Sequence, residues 1–208
     1  QSFEDERGRR ILIGWMGIPE ADYTNPTEKD GWQHALTLPR QLRIKEGRLI
    51  QTPLEELKGL RRQQWSFERA ESFNSAGEML RRELGPVFEA ELQFSDCRSM
   101  SLQLRRGTSL TWEDGVLTLS MEEGGFGRTR RHGALGKLEK LQIFSDVSSL
   151  EIFVNGGEQV FSSRVYADCG HDGEKTGGYL RLEGDCEASG TVYRLGGFSV
   201  EKRKENDK

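Results

Sequence analysis

Cysteine is scarce in this chain. The three present in 208 residues, Cys97, Cys169 and Cys186, are odd in number and show no Cys-x-x-Cys spacing, which excludes a disulfide framework or a zinc-finger pattern as the organising feature. They read as free thiols of a reducing compartment. No apolar run approaches the roughly 18 to 20 residues of a membrane helix and no signal-peptide pattern is visible, so no membrane partner is expected. Positive charge is not in excess. A net charge of −4 argues against a nucleic-acid partner, which demands a basic surface. The only candidate N-glycosylation triplet, Asn25-Pro26-Thr27, is disqualified by its proline, which disfavours a heavily glycosylated secreted origin. The three histidines, His34, His132 and His171, are isolated and complete no Ser-His-Asp pattern.

Glycine is abundant instead. Its 25 residues stand well above the usual share of about 7%, and only five prolines accompany them, a balance that fits many tight turns between short strands. Residues 10–15 form a short apolar run after the charged turn Asp5-Glu6-Arg7-Gly8, residues 18–31 read as an irregular loop, and 33–38, 41–44 and 48–52 resume strand character around Glu46-Gly47. Residues 54–63 are expected to form a short helical linker, with Pro53 before it, Glu55 and Glu56 in its first turn and Gly59 near its end.

From about residue 64 the period is two. Phe88, Ala90, Leu92 and Phe94 alternate with Glu89, Glu91 and Gln93, and Met100, Leu102 and Leu104 with Ser101, Gln103 and Arg105. Each stretch thus puts an apolar stripe on one face and polar side chains on the other. Asp114-Gly115 and Asn155-Gly156 are type I′ turn pairs that place hairpins between such strands. An all-β chain follows, with a two-sheet sandwich over residues 64–203 and a frayed tail at 204–208.

The segments Gly8-Arg9-Arg10-Ile11-Leu12-Ile13-Gly14-Trp15-Met16-Gly17 and Gly31-Trp32-Gln33-His34-Ala35-Leu36-Thr37-Leu38-Pro39-Arg40-Gln41-Leu42 resemble the last propeller blade of family 32 glycoside hydrolases. These are the β-fructosidases that include invertases, levanases and sucrose-6-phosphate hydrolases. The stretch from Leu141 through Asn155-Gly156-Gly157 to Tyr166 is similar to the family's C-terminal sandwich. The resemblance implies the last blade of a five-bladed propeller over residues 1–53 followed by the sandwich, hence a C-terminal fragment of a longer enzyme. It further implies a fructoside substrate, missing N-terminal blades as the partner of residues 1–53, contacts of the sandwich with further copies, cytoplasmic location and no cofactor or metal.

Retaining glycoside hydrolysis needs a nucleophilic carboxylate and a carboxylic acid flanking the scissile bond. The family resemblance implies acids in Asn-Asp-Pro-Asn-Gly, Arg-Asp-Pro and Glu-Cys motifs. None occurs here, since each cysteine follows an Asp and no Asp precedes a Pro, so no catalytic residue is assigned and the fragment is expected to be inactive. Glu4, Asp5 and Glu6 read as an exposed turn. Glu89, Glu91, Glu122 and Glu123 read as solvated strand faces, and Arg128, Arg130 and Arg131 as a solvated hairpin. Trp15 is the one candidate for substrate binding. The resemblance implies that it packs against the sugar in the propeller pocket, while packing between blades is the alternative. Trp32 fits blade packing, and Trp65 and Trp112 fit the sandwich core. A carbohydrate-binding sandwich with Trp112 as its platform is the competing reading of the whole chain.

Overall fold

The computed structural model describes residues 1–18, 24–71, 73–75, 83–166 and 180–197. Cys169, His171 and the tail 204–208 lie outside them. Every strand pair in the described residues is antiparallel. The first 53 residues give a four-stranded sheet in the order β1 (Ser2–Glu4), β2 (Arg10–Leu12), β5 (Arg40–Lys45) and β6 (Arg48–Pro53). A separate ladder pairs β3 (Trp15–Met16) with β4 (Ala35–Leu36).

The run expected as a single strand over 10–15 is therefore split into β2 and β3, the run over 33–38 is shortened to β4, and β1 supplies the fourth strand. The separation of β4 from β5 has a cause distant in sequence. The Leu38 N–H is diverted to the Glu151 carboxylate at 2.6 Å, and Pro39 has no N–H, so two successive ladder donors are lost. Thr37 bridges the gap by donating its N–H to the Gly14 carbonyl at 2.8 Å and accepting the Gly14 N–H on Oγ1 at 2.9 Å.

A 3₁₀ turn over Glu55–Leu60 follows, and β7 (Arg61–Phe67) starts directly after it, inside the stretch 54–63. Strand geometry sets in early because the Arg61 side chain is already committed to Glu89, 2.6 Å away. The remaining strands form two sheets. One contains β12 (Arg130–Ala134), β11 (Val116–Ser120), β10 (Thr108–Glu113), β9 (Met100–Arg105) and β16 (Arg181–Glu183), in that order. The other contains β15 (Gln159–Arg164), β14 (Ser149–Val154), β13 (Lys140–Asp146), β8 (Phe88–Ser95), β17 (Glu187–Leu195) and β7. The alternating residues Leu92 and Ala90 of one sheet and Leu102, Leu110 and Leu119 of the other join a single buried cluster. Each fully buried leucine contributes about 2 kcal/mol through the apolar surface it removes from water.

The hairpins follow from positive-φ residues. Glu46-Gly47 and Asp114-Gly115 each close a two-residue loop, with φ of 52° and 75° in the first and 50° and 74° in the second. Asn155-Gly156 separates strands that end at Val154 and resume at Gln159, where the sequence places them. Val154 pairs with Gln159 across four loop residues, and Gly157 adds a third positive φ, of 99°. The Gly157 and Glu158 N–H groups close the loop on the Val154 carbonyl at 2.9 and 3.0 Å, and the Asn155 side chain accepts the N–H groups of Glu139 and Lys140.

Glu89 is not solvated. It is fully buried on the outer face of β8, gripped by the Arg61 guanidinium at 2.6 and 2.8 Å and by Gln142 at 2.7 Å. Glu91 is partly exposed and shares Arg61 at 2.9 Å. Alternation assigned these acids to the polar face correctly, but that face is covered rather than wet. Glu122 and Glu123 sit in an exposed 3₁₀ turn, and Arg130 and Arg131 lie on the edge strand β12.

Candidate functional site

Trp15 stands on β3, where the pairing Trp15↔Leu36 and Met16↔Ala35 fixes its position. Its side chain is 54% exposed, large for a tryptophan. Gly17 makes room for it: a Cβ at that position would overlap the indole ring. The ring meets His34 edge-on, with centroids 5.1 Å apart and planes at 64°. Leu36, 65% exposed, belongs to the same ladder. The result is an open aromatic surface bordered by an imidazole. Such a surface can take the C–H face of a sugar while polar groups elsewhere take its hydroxyls.

The two buried acids of the described residues, Glu89 and Glu151, are both neutralised by arginines. The described residues hold no group of three or more His, Cys, Asp or Glu able to bind a metal ion. Trp32 lies 5.1 Å from the Arg164 guanidinium, at the junction with β15. Trp65 packs partly buried against the core. Trp112 is buried and donates its Nε1–H to the Leu135 carbonyl at 2.8 Å, so it offers no platform to a sugar.

The best-built polar cluster is one that sequence reasoning missed. Arg40, at the start of β5, reaches across to β14 and β15. There its guanidinium bonds the Glu151 carboxylate and the Ser162 hydroxyl, and it lies 5.3 Å from the Phe153 ring. Both charged side chains are buried, 7% and 4% exposed. Burial pushes the Glu151 carboxyl above the usual carboxylate range, and the Leu38 N–H and Arg40 offset this only in part. Around this pair the Gln51 N–H donates to the Gly157 carbonyl at 3.0 Å, Arg164 donates to the Gln33 carbonyl at 2.8 Å, and Tyr166 Oη donates to Asn25 Oδ1 at 2.5 Å. Exposed Arg7 and half-buried Arg9 of the β1–β2 turn complete the seam. Arg7 and Arg9 hold Glu56 at 3.0 and 2.8 Å, and the Arg9 guanidinium lowers that carboxyl to about 2. These bonds fix the first 53 residues, and Trp15 with them, against the six-stranded sheet. The signal for a covered face was present in sequence: Phe144 and Phe153 fall on the polar side of their strands, where solvent would not favour them.

The sequence and fold were compared with known proteins. Residues 1–53 match the model of the glycosyl hydrolases family 32 N-terminal domain, and residues 56–187 match that of the glycosyl hydrolases family 32 C terminal. The sucrose-6-phosphate hydrolase of Staphylococcus xylosus is 37% identical over 85% of this chain and 38% of its own length. Among solved structures, the sucrose-6-phosphate hydrolase of Lactobacillus gasseri superposes with a TM-score of 0.76 at 23% identity, over 94% of this chain and 40% of that one. A mutant of the Bombyx mori family 32 β-fructofuranosidase in complex with sucrose gives a TM-score of 0.65 at 26% identity, over 94% and 39%. The chain thus spans roughly two-fifths of the length of these relatives. With both of its parts matched by the family's own models, the chain belongs to glycoside hydrolase family 32.

Proposed function

We propose that these 208 residues are the C-terminal part of a retaining β-fructofuranosidase that hydrolyses sucrose 6-phosphate or sucrose in the cytoplasm. The observation that carries the reading is the continuous family match across both units, joined to relatives named sucrose-6-phosphate hydrolase that extend well beyond it. In this reading residues 1–53 are the last blade of a five-bladed propeller, 54–63 the linker and 64–203 a two-sheet sandwich that buttresses it. The nucleophilic and acid carboxylates are supplied by the remaining blades, because the buried acids described here are committed to arginines. The fructosyl–enzyme bond forms and is hydrolysed there, with retention.

Trp15 supplies an aromatic wall to that pocket. Its exposure supports the role, as does the Gly17 backbone that leaves the indole free of a clashing side chain. The buried Arg40–Glu151 pair fixes the orientation of the blade, and of Trp15, on the sandwich. The test is kinetic. In the longer enzyme, Trp15→Ala is expected to lower kcat/KM for sucrose 6-phosphate about tenfold, the scale of a lost aromatic contact. Unchanged kinetics would remove Trp15 from the pocket, and failure of the longer enzyme to release glucose 6-phosphate or glucose would sink the substrate assignment.

A further inference from the structure

The turn joining β8 to β9 and the turn joining β16 to β17 bring two cysteines together in a way that the hydrolytic reading does not use. Regular pairing of β8 with β17 ends at Ser95↔Glu187. Asp96 then takes a left-handed backbone, with φ of 47°, and shifts the chain by one residue, as a β-bulge does. Pairing resumes where the Arg98 N–H donates to the Asp185 carbonyl at 2.8 Å. In an antiparallel ladder that bond flanks a non-hydrogen-bonded pair, and the residues in that position are Cys97 and Cys186. Such pairs hold their Cα atoms about 4.5 Å apart, within the roughly 4.4–6.8 Å span that a disulfide bridges.

The two thiols are near enough to act on one another's titration, and the Cys97 S–H donates to the Ser99 carbonyl at 3.8 Å. Neighbouring contacts clamp both turns: Ser99 Oγ accepts the Asp185 N–H at 3.2 Å, Arg98 pairs with Asp185 at 3.4 Å, and Gly184 lies directly against the Ser99 carbonyl, where no side chain would fit. Both cysteines are half-buried, packed against the core on one side and open to a small reagent on the other.

We propose that Cys97 and Cys186 are a redox-sensitive pair that closes to a cross-strand disulfide by exchange with a low-molecular-weight disulfide such as oxidised glutathione. The Cys186 thiolate attacks one sulfur of the small disulfide, whose S–S bond breaks and releases one thiolate that takes up a proton. Cys97 then loses its proton to solvent and attacks Cys186 Sγ in the mixed disulfide, expelling the second small thiol. Two protein thiols are oxidised and one small disulfide is reduced to two thiols. Burial raises both thiols, pushing that of Cys97 up to about 12, so Cys97 is the second to react. The reaction is therefore slow near neutral pH and speeds up as pH rises.

The test treats the 208-residue chain with oxidised glutathione at mildly alkaline pH, then traps free thiols and maps peptides without reduction. The expected result is a Cys97–Cys186 linked peptide with Cys169 still alkylated, and an unfolding midpoint raised by roughly 5–15 °C that returns to its starting value with dithiothreitol. Cys97→Ser and Cys186→Ser should each abolish the link and the shift while leaving the reduced protein's circular dichroism unchanged. A bond from Cys169 to either partner would overturn the proposal. So would stable glutathione adducts on both cysteines, or complete alkylation of all three after oxidation.

Discussion

Arg40 and Glu151 lie away from the exposed Trp15, yet they tie the unit that carries it to the six-stranded sheet. A buried guanidinium and carboxylate compensate one another, and deleting either leaves the other charged and unpaired. Glu151→Ala or Arg40→Ala should each destabilise the chain by about 3–5 kcal/mol, with the double substitution costing much less than the sum, as chemical denaturation of the four proteins would show. Additivity would mean that the two side chains do not act as a pair. The pH dependence divides by sign. Burial raises the Glu151 carboxyl, so the stability it contributes is full below the unfolded carboxylate range and declines as pH rises through its folded value. Glu56 is lowered to about 2 by Arg9. Its contribution is present above the unfolded range and lost as pH falls through that value. A carbon-detected NMR titration should show the Glu56 carboxyl still ionised well below pH 4, and an ordinary midpoint would contradict the clamp. At this scale the sequence disclosed faces but not partners. Alternation put Glu89 on the polar side, yet only the aromatics Phe144 and Phe153 hinted that this side is covered.

At the scale of elements, the turns were the most legible feature, because few dipeptides tolerate two successive positive φ angles. Glu46-Gly47 and Asp114-Gly115 close hairpins as their residue types require. The four-residue loop 155–158 was legible in its bounds, but not in what it meets in space. Gly157 turns with φ of 99° and brings its backbone against β6, so an added Cβ would overlap the Gln51 carbonyl. Gly157→Ala should cost about 1–3 kcal/mol and speed amide exchange in β6. Gly156→Ala, with open space around it, should cost about 1 kcal/mol without that exchange signature. Equal effects would remove the loop from the seam. The separation of 33–38 from 41–44 was legible, but its partner was not: Leu38 gives its N–H to a carboxylate more than a hundred residues away.

For the whole molecule, the distribution of exposed apolar side chains is uneven. Of nine large exposed hydrophobics among the described residues, Phe3, Trp15, Trp32, Leu36, Ile44 and Leu49 fall in the first 53, whereas the two larger sheets close around a continuous core. A unit with so much uncovered apolar surface is suited to packing against further protein. The family was legible from residues 8–17 and 31–42, but the seam that holds this unit in place was not. The central claim is that the chain contributes a binding wall and its support, while the reacting carboxylates reside in the rest of the enzyme. The most direct measurement compares the 208-residue chain with the same chain extended N-terminally by the remaining propeller, each assayed with sucrose 6-phosphate and sucrose. The account predicts release of glucose 6-phosphate or glucose by the extended protein alone, and turnover by the 208 residues on their own would contradict it.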